Sequence, residues 1–225
     1  MGTGVEKNGI IDFLSRRKPG GKHQGMAIVS VAMILLGLSL AARYDLRIEF
    51  PSARRSVPPS FSLPWDEGLN LEQRDNTCGA HAAMAVLYAQ NREEVDPYAI
   101  YGQIPEKLGN GYIYPWGITR FLRGRNIGAK VLYLGLLSDA RMERWLRESV
   151  SSGRPAIVII GTRKYLHYVT VLGYDGPTYH LYDSLFATDT NGERPGNITV
   201  PAGELLDRWN GARFRGFRLR MAITE

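Results

Sequence analysis

Asn76-Thr77-Cys78-Gly79-Ala80-His81-Ala82-Ala83-Met84-Ala85-Val86-Leu87-Tyr88-Ala89-Gln90 is the stretch on which the fold turns. Thr77 or Asn76 supplies helix-start chemistry, and Ala82, Ala85, Val86 and Ala89 recur at helical spacing. The pattern predicts a helix from Cys78 to about Gln90. Its many alanines suit a helix packed tightly at the centre of a domain. Cys78 then stands in the first turn, where unpaired backbone N–H groups and the helix dipole stabilise an anion. Gln73 falls in the loop entering the helix, where its amide and the Cys78 N–H can both donate to a developing oxyanion. Gly79 lets another backbone come close.

Downstream, Asp96-Pro97 and Tyr114-Pro115 read as starts of short helices. Ser138 opens an amphipathic helix carrying Met142, Trp145, Leu146 and Val150, closed by Gly153. The period then changes. Ala156 to Ile160 is a continuous apolar run, as in a strand buried on both faces. Tyr165 to Gly173 and Thr178 to Asp183 flank Tyr174-Asp175-Gly176-Pro177 as a hairpin. A helix around Gly203 to Trp209 and a final strand from Phe214 to Ile223 complete the pattern. Helices first and strands second make an α+β arrangement.

His167 lies on a predicted strand, sharing a face with Tyr165, Val169 and Val171. Thiol chemistry needs a base that is near in space rather than in sequence, and this residue is the candidate. Asp183 ends the neighbouring strand and can accept from the second ring nitrogen, whereas Asp175 serves the turn. His81, one turn beyond Cys78 on the same helix side, is the rival base. The helix N-terminus disfavours an imidazolium there, and no carboxylate is evident to orient the ring. His180 alternates away from Asp183, and His23 precedes an apolar segment.

Upstream, Met26 to Ala42 is 17 residues without a charge, after a basic cluster of Arg16, Arg17, Lys18 and Lys22. That length is at the lower edge of the roughly 17–25 residues that span a bilayer. An uncleaved anchor is expected, with a signal peptide ending near Ser39-Leu40-Ala41 as the alternative. Positive charge before the segment places 1–25 in the cytoplasm and the remainder across the membrane. Residues 43–64, which include Pro51 to Pro64, have linker chemistry, and the folded domain is expected over 65–225.

Composition narrows the classes further. Of 225 residues, 44% are apolar, which excludes a disordered chain. The net charge of +6 is concentrated near the N-terminus, and the run Arg213, Arg215, Arg218, Arg220 alternates with Phe214, Phe217 and Leu219 as an ordinary strand would. No nucleic-acid partner is expected. A single cysteine excludes an internal disulfide and any multi-cysteine zinc or iron–sulfur site; no metal or cofactor is expected.

The ordered set Gln73-Arg-Asp-Asn-Thr-Cys78-Gly79-Ala80, Gly153-Arg-Pro155-Ala156-Ile157, His167-Tyr168-Val169-Thr170-Val171-Leu172-Gly173-Tyr174 and Tyr182-Asp183-Ser184 resembles the bacteriocin-processing C39 cysteine peptidases and their C39-like relatives. The resemblance covers roughly Glu72 to Trp209. It implies a papain-like fold with Cys78 as nucleophile, His167 as base and then acid, Asp183 as orienting group and Gln73 as oxyanion donor. Family members often cleave leader peptides after a Gly-Gly pair. Unlike the family's exporters, this chain has one candidate span and no phosphate-binding loop, and His81 falls where the family usually has small or apolar residues. The expected function is hydrolysis of a peptide or protein substrate by a single-pass protein of the bacterial cytoplasmic membrane, its domain on the periplasmic or extracellular side. The alternatives are a catalytically silent module that binds peptides or scaffolds a membrane complex, and an acyltransferase using the same residues.

Overall fold

The computed structural model of the protein describes residues 46–51, 56–162, 164–186, 194–214 and 216–225. The apolar segment 26–42 lies outside them. Among the described residues no helix is long and apolar enough to cross a membrane.

Helix α1, Cys78–Asn91, is buried at every position from Cys78 to Ala89, which explains its composition: alanines let neighbours approach on all sides. It ends at Arg92, whose left-handed backbone (φ 57°) turns its N–H back onto the Tyr88 carbonyl. Helices α2 (Pro97–Gln103) and α3 (Pro115–Arg123) pack against it, each opened by a proline whose missing N–H costs nothing there.

The sheet contains, in order, β1 (Leu46–Arg47), β3 (Lys130–Tyr133), β10 (Met221–Thr224), β4 (Ala156–Gly161), β5 (Leu166–Asp175), β6 (Thr178–Tyr182) and β7 (Ile198–Pro201), with β2 (Ser60–Ser62) paired to the end of β5. Apart from the parallel pair β1–β3, the ladders are antiparallel. Every residue of β4 is buried, and so is β5 from His167 to Tyr174, because helices contact both strands. Thr170 of β5 donates to the Ala82 carbonyl of α1, while Arg147 of α4 (Asp139–Val150) lies over the rings of Tyr174 and Tyr179. Helix α5 (Ala202–Gly211) packs against β4 and β7. The architecture is mixed helix and sheet.

Three expectations change. Part of the stretch read as linker, 43–64, belongs to the sheet as β1 and β2. Strands of two and three residues are held by backbone pairing, so they show no alternation. Strand β3 was missed between two helices for the same reason, being four residues long. The single strand expected from Phe214 to Ile223 is broken into β8 (Arg213–Phe214), β9 (Phe217–Arg218) and β10. Gly216, at φ 88°, reverses the chain between the first two.

Candidate active site

Cys78 is the first residue of α1, and the helix begins without a side-chain cap. Thr77 donates its hydroxyl backward to the Arg74 carbonyl at 2.7 Å, and Asn76 donates to the Asn110 carbonyl at 2.7 Å. The capping role expected of these two residues is therefore not filled, since Thr77 serves the incoming loop and Asn76 ties that loop to the one carrying Asn110. The Ala80 and His81 N–H groups turn back onto the Thr77 carbonyl, at 2.9 Å and 3.2 Å, so the first turn is closed by backbone and the dipole at Cys78 is not offset by a capping side chain. Gly79 allows this end of the helix to seat closely. A Cβ there would lie 3.1 Å from Ile118 Cδ1, 3.2 Å from Ile113 Cβ and 3.3 Å from Tyr168 Cδ2.

His167 comes from the start of β5, opposite Ile160 of β4. The β5–β6 register sets Tyr182 opposite Thr170, so Asp183 arrives beside the beginning of β5. His167 Nε2 donates to Asp183 Oδ1 at 2.7 Å, and Leu185 N donates to the same oxygen at 3.0 Å. Cys78 stands beside the His167 ring, close enough to raise its pKa. Asn197, which sequence reasoning did not single out, holds Asp183 by its backbone: its Oδ1 accepts from Asp183 N at 2.8 Å, and its Nδ2 donates to the Asp183 and Phe186 carbonyls. Gly196 makes this clasp possible. Its φ is 90°, and a Cβ would stand 2.1 Å from the Leu181 carbonyl oxygen. Asn197 lies in an irregular loop, so no periodic signal marks it.

Cys78, His167 and Asp183 are 3%, 2% and 1% exposed, so their interactions operate almost without water. Burial alone would lower the pKa of His167. The hydrogen bonds to Asp183 and Cys78, and the negative charge near the ring, outweigh it and raise the pKa from 6.5 to about 9. The imidazolium is the favoured form at neutral pH. Beside the thiol, Tyr112 and Tyr168 stack at 4.9 Å, and burial is the main reason that both phenols stay protonated. Tyr168 donates to the Ile113 carbonyl at 2.9 Å.

Gln73 is fixed by three bonds. Its backbone N–H donates to the Ser184 carbonyl at 2.7 Å, its Oε1 accepts from the Ser184 hydroxyl at 2.7 Å, and its Nε2 donates to the Asp75 carbonyl at 2.8 Å. Ser184 follows Asp183 directly, so the loop before α1 is tied to the strand end that carries the carboxylate. The rival histidines stand apart from this chemistry. His81 is fully buried, its Nδ1 lies 3.1 Å from the Thr77 carbonyl, and burial lowers its pKa, so it is a neutral ring packed edge-on to Tyr98. His180 pairs with Gly173 and Thr199, away from Cys78 and His167, and burial followed by Arg194 lowers its pKa. His23 lies outside the described residues. Among the described residues, no three His, Cys, Asp or Glu side chains gather where they could hold a metal ion.

Comparison with solved structures places the fold. A protein of Bacillus anthracis assigned to the C39-like peptidases superposes with a TM-score of 0.51 at 16% identity, over 72% of this chain and 93% of that one. The chain has a C39-like peptidase fold. Two further similar structures are a double-glycine-motif protease of an AMS/PCAT transporter, bound to a leader peptide, and the peptidase domain of Streptococcus ComA, a bifunctional ABC transporter of a quorum-sensing pathway. The first has a TM-score of 0.45 at 16% identity, covering 78% of this chain and 96% of that one. The second has a TM-score of 0.43 at 13% identity, covering 68% and 93%. No family model matches the sequence, and no curated protein matches it.

Proposed function

We propose that this chain is a cysteine peptidase that hydrolyses a peptide bond through an acyl-enzyme on Cys78. The observation that carries this reading is the buried His167 ring, hydrogen-bonded to Asp183 through Nε2 at 2.7 Å and lying beside Cys78, with its pKa raised to about 9. The proton of the Cys78–His167 pair rests on the imidazole, and the thiolate sulfur attacks the scissile carbonyl carbon. The carbonyl π pair moves onto oxygen, where the Cys78 N–H and the Gln73 amide donate. Collapse of that adduct breaks the C–N bond, and His167 hands its proton to the departing amine. Water, deprotonated by the now neutral His167, then attacks the thioester and releases the acid and the thiol. Asp183 stays ionised throughout and keeps the imidazole turned the right way.

Membrane attachment through 26–42 is part of the same proposal. It rests on the uncharged stretch that follows the basic cluster. A secreted or membrane-associated peptide is then the substrate class that reaches the enzyme. The test is a mass-spectrometric comparison of peptides in strains carrying the native chain and Cys78→Ala. A peptide that accumulates uncut in the variant, and is cut in vitro by the native protein, supports the reading. Identical peptide pools together with an inert purified enzyme would sink it.

A further inference from the structure

We infer that Ser184 is a positioning residue that locks the Gln73 amide with its NH₂ group presented as a donor. This rests on the peptidase reading, in which Gln73 stabilises the oxyanion. A glutamine side chain offers two groups of nearly the same shape and opposite polarity, so its usefulness as an oxyanion donor depends on which one faces the reacting oxygen. The surroundings of Gln73 decide this by chemistry. The Asp75 carbonyl, 2.8 Å away, can only accept, so the group facing it must be the NH₂. That carbonyl is aimed by a turn in which Asp75 takes a left-handed backbone, φ 54°. The group on the other side is Oε1, and there the Ser184 hydroxyl donates at 2.7 Å. One N–H of the amide is held by Asp75, one lone pair is held by Ser184, and the second N–H is left for a ligand.

Ser184 is 1% exposed, so its hydroxyl has no water to turn to and the bond to Oε1 is well protected. The residue also contributes its carbonyl to Gln73 N at 2.7 Å, which pins the loop independently of the side chain. Removing the hydroxyl therefore leaves Gln73 in place with the Asp75 carbonyl as the one remaining hold on its amide, so the rotated state gains population. In the rotated state a carbonyl oxygen faces the developing negative charge and opposes it. Ser184 also follows Asp183 in sequence, so one strand end orients both the base and the oxyanion donor.

The test uses the full chain and p-nitrophenyl acetate as acylating probe, with p-nitrophenolate release read as a pre-steady-state burst. Ser184→Ala should slow acylation by about tenfold, a fraction of the roughly 10²–10³ lost with an entire oxyanion donor, through the burst rate constant rather than binding of the probe. Ser184→Thr, which keeps the hydroxyl, should recover most of that loss. In a Gln73→Ala background, Ser184→Ala should add no further loss, since the group it orients is gone. Alkylation of Cys78 by iodoacetamide forms no oxyanion and should proceed at the native rate in Ser184→Ala, which also reports an intact fold. If the alanine variant fails to fold, Ser184→Val against Ser184→Thr gives the same comparison at matched volume. Native acylation by Ser184→Ala, or by Ser184→Val where that pair is used, would overturn the positioning role alone, as would losses that add fully with Gln73→Ala. A native chain that is alkylated yet never acylated would overturn the peptidase reading and this role with it.

Discussion

Asp183→Asn separates the charge of the carboxylate from its hydrogen bonding. The His167 Nε2–H and the Leu185 N–H converge on one oxygen, Oδ1, at 2.7 Å and 3.0 Å. An asparagine can leave its carbonyl oxygen at that point and turn its NH₂ away, so ring orientation survives while the negative charge is lost. His167 stands at about 9 against an ordinary 6.5. That difference is worth about 3 kcal/mol in favour of the imidazolium, at about 1.4 kcal/mol per pH unit. Burial opposes it, the Asp183 hydrogen bond is the largest favourable contribution, and the Cys78 contacts supply part of the remainder. Losing the charge alone should bring His167 down by about one pH unit, whereas Asp183→Ala, which loses bond and charge, should let burial carry it to the ordinary value or below. The assay is the rate of Cys78 alkylation by iodoacetate between pH 5 and 11. This reagent is anionic and is drawn by the imidazolium, so its rate falls as His167 deprotonates. The fall should come near pH 9 in the native protein, about one unit earlier in the asparagine variant and earlier still in the alanine variant. Three superimposable profiles would refute the idea that Asp183 holds the imidazolium.

Thermal stability should follow the same group. The folded pKa of His167 lies above its unfolded value, so its contribution is complete below about pH 6.5 and is lost as pH rises through about 9. Melting curves from pH 6 to 10 should therefore decline more steeply for the native protein than for Asp183→Ala, and parallel curves would contradict this. Asn197→Ala removes the partner of the Asp183 backbone N–H and one donor to its carbonyl. The carbonyl keeps the Phe186 N–H at 3.1 Å, so denaturant unfolding should show a loss of about 1–3 kcal/mol for the one buried N–H left unpaired, and an unchanged midpoint would mean that the clasp adds nothing to stability. Gly79→Ala sets a methyl against Ile118, Ile113 and Tyr168. A cost of about 1–3 kcal/mol is expected for overpacking, measured the same way, and a stabilised variant would show that the helix start is not closely seated.

What could be read from the sequence was whatever is periodic or terminal. Helix α1 was legible because alanine recurrence marks its buried faces and Asn76-Thr77 its start, and the β5–β6 hairpin because Tyr174-Asp175-Gly176-Pro177 interrupts two apolar runs. From that hairpin, the neighbourhood of His167 and Asp183 followed as geometry. Strands β1, β2 and β3 were not legible, since a few residues paired by backbone carry no pattern. The clasp of Asn197 and the Ser184–Gln73 bonds depend on where loops cross once the sheet has formed, and no spacing along the chain encodes that. Thr77 and Asn76 show the limit from the other side. Their type suggests capping, but the Arg74 and Asn110 carbonyls compete for their donors, and the helix starts without a side-chain cap.

The central claim is that His167 activates Cys78. An unassisted thiol is almost entirely protonated at pH 6, so the alkylation rate by iodoacetamide at that pH isolates the contribution of the base. Comparing the native protein with His167→Ala and His81→Ala tests the claim most directly. Native and His81→Ala chains should react alike, at least about tenfold faster than His167→Ala. Equal rates in all three, or a loss confined to His81→Ala, would contradict the account.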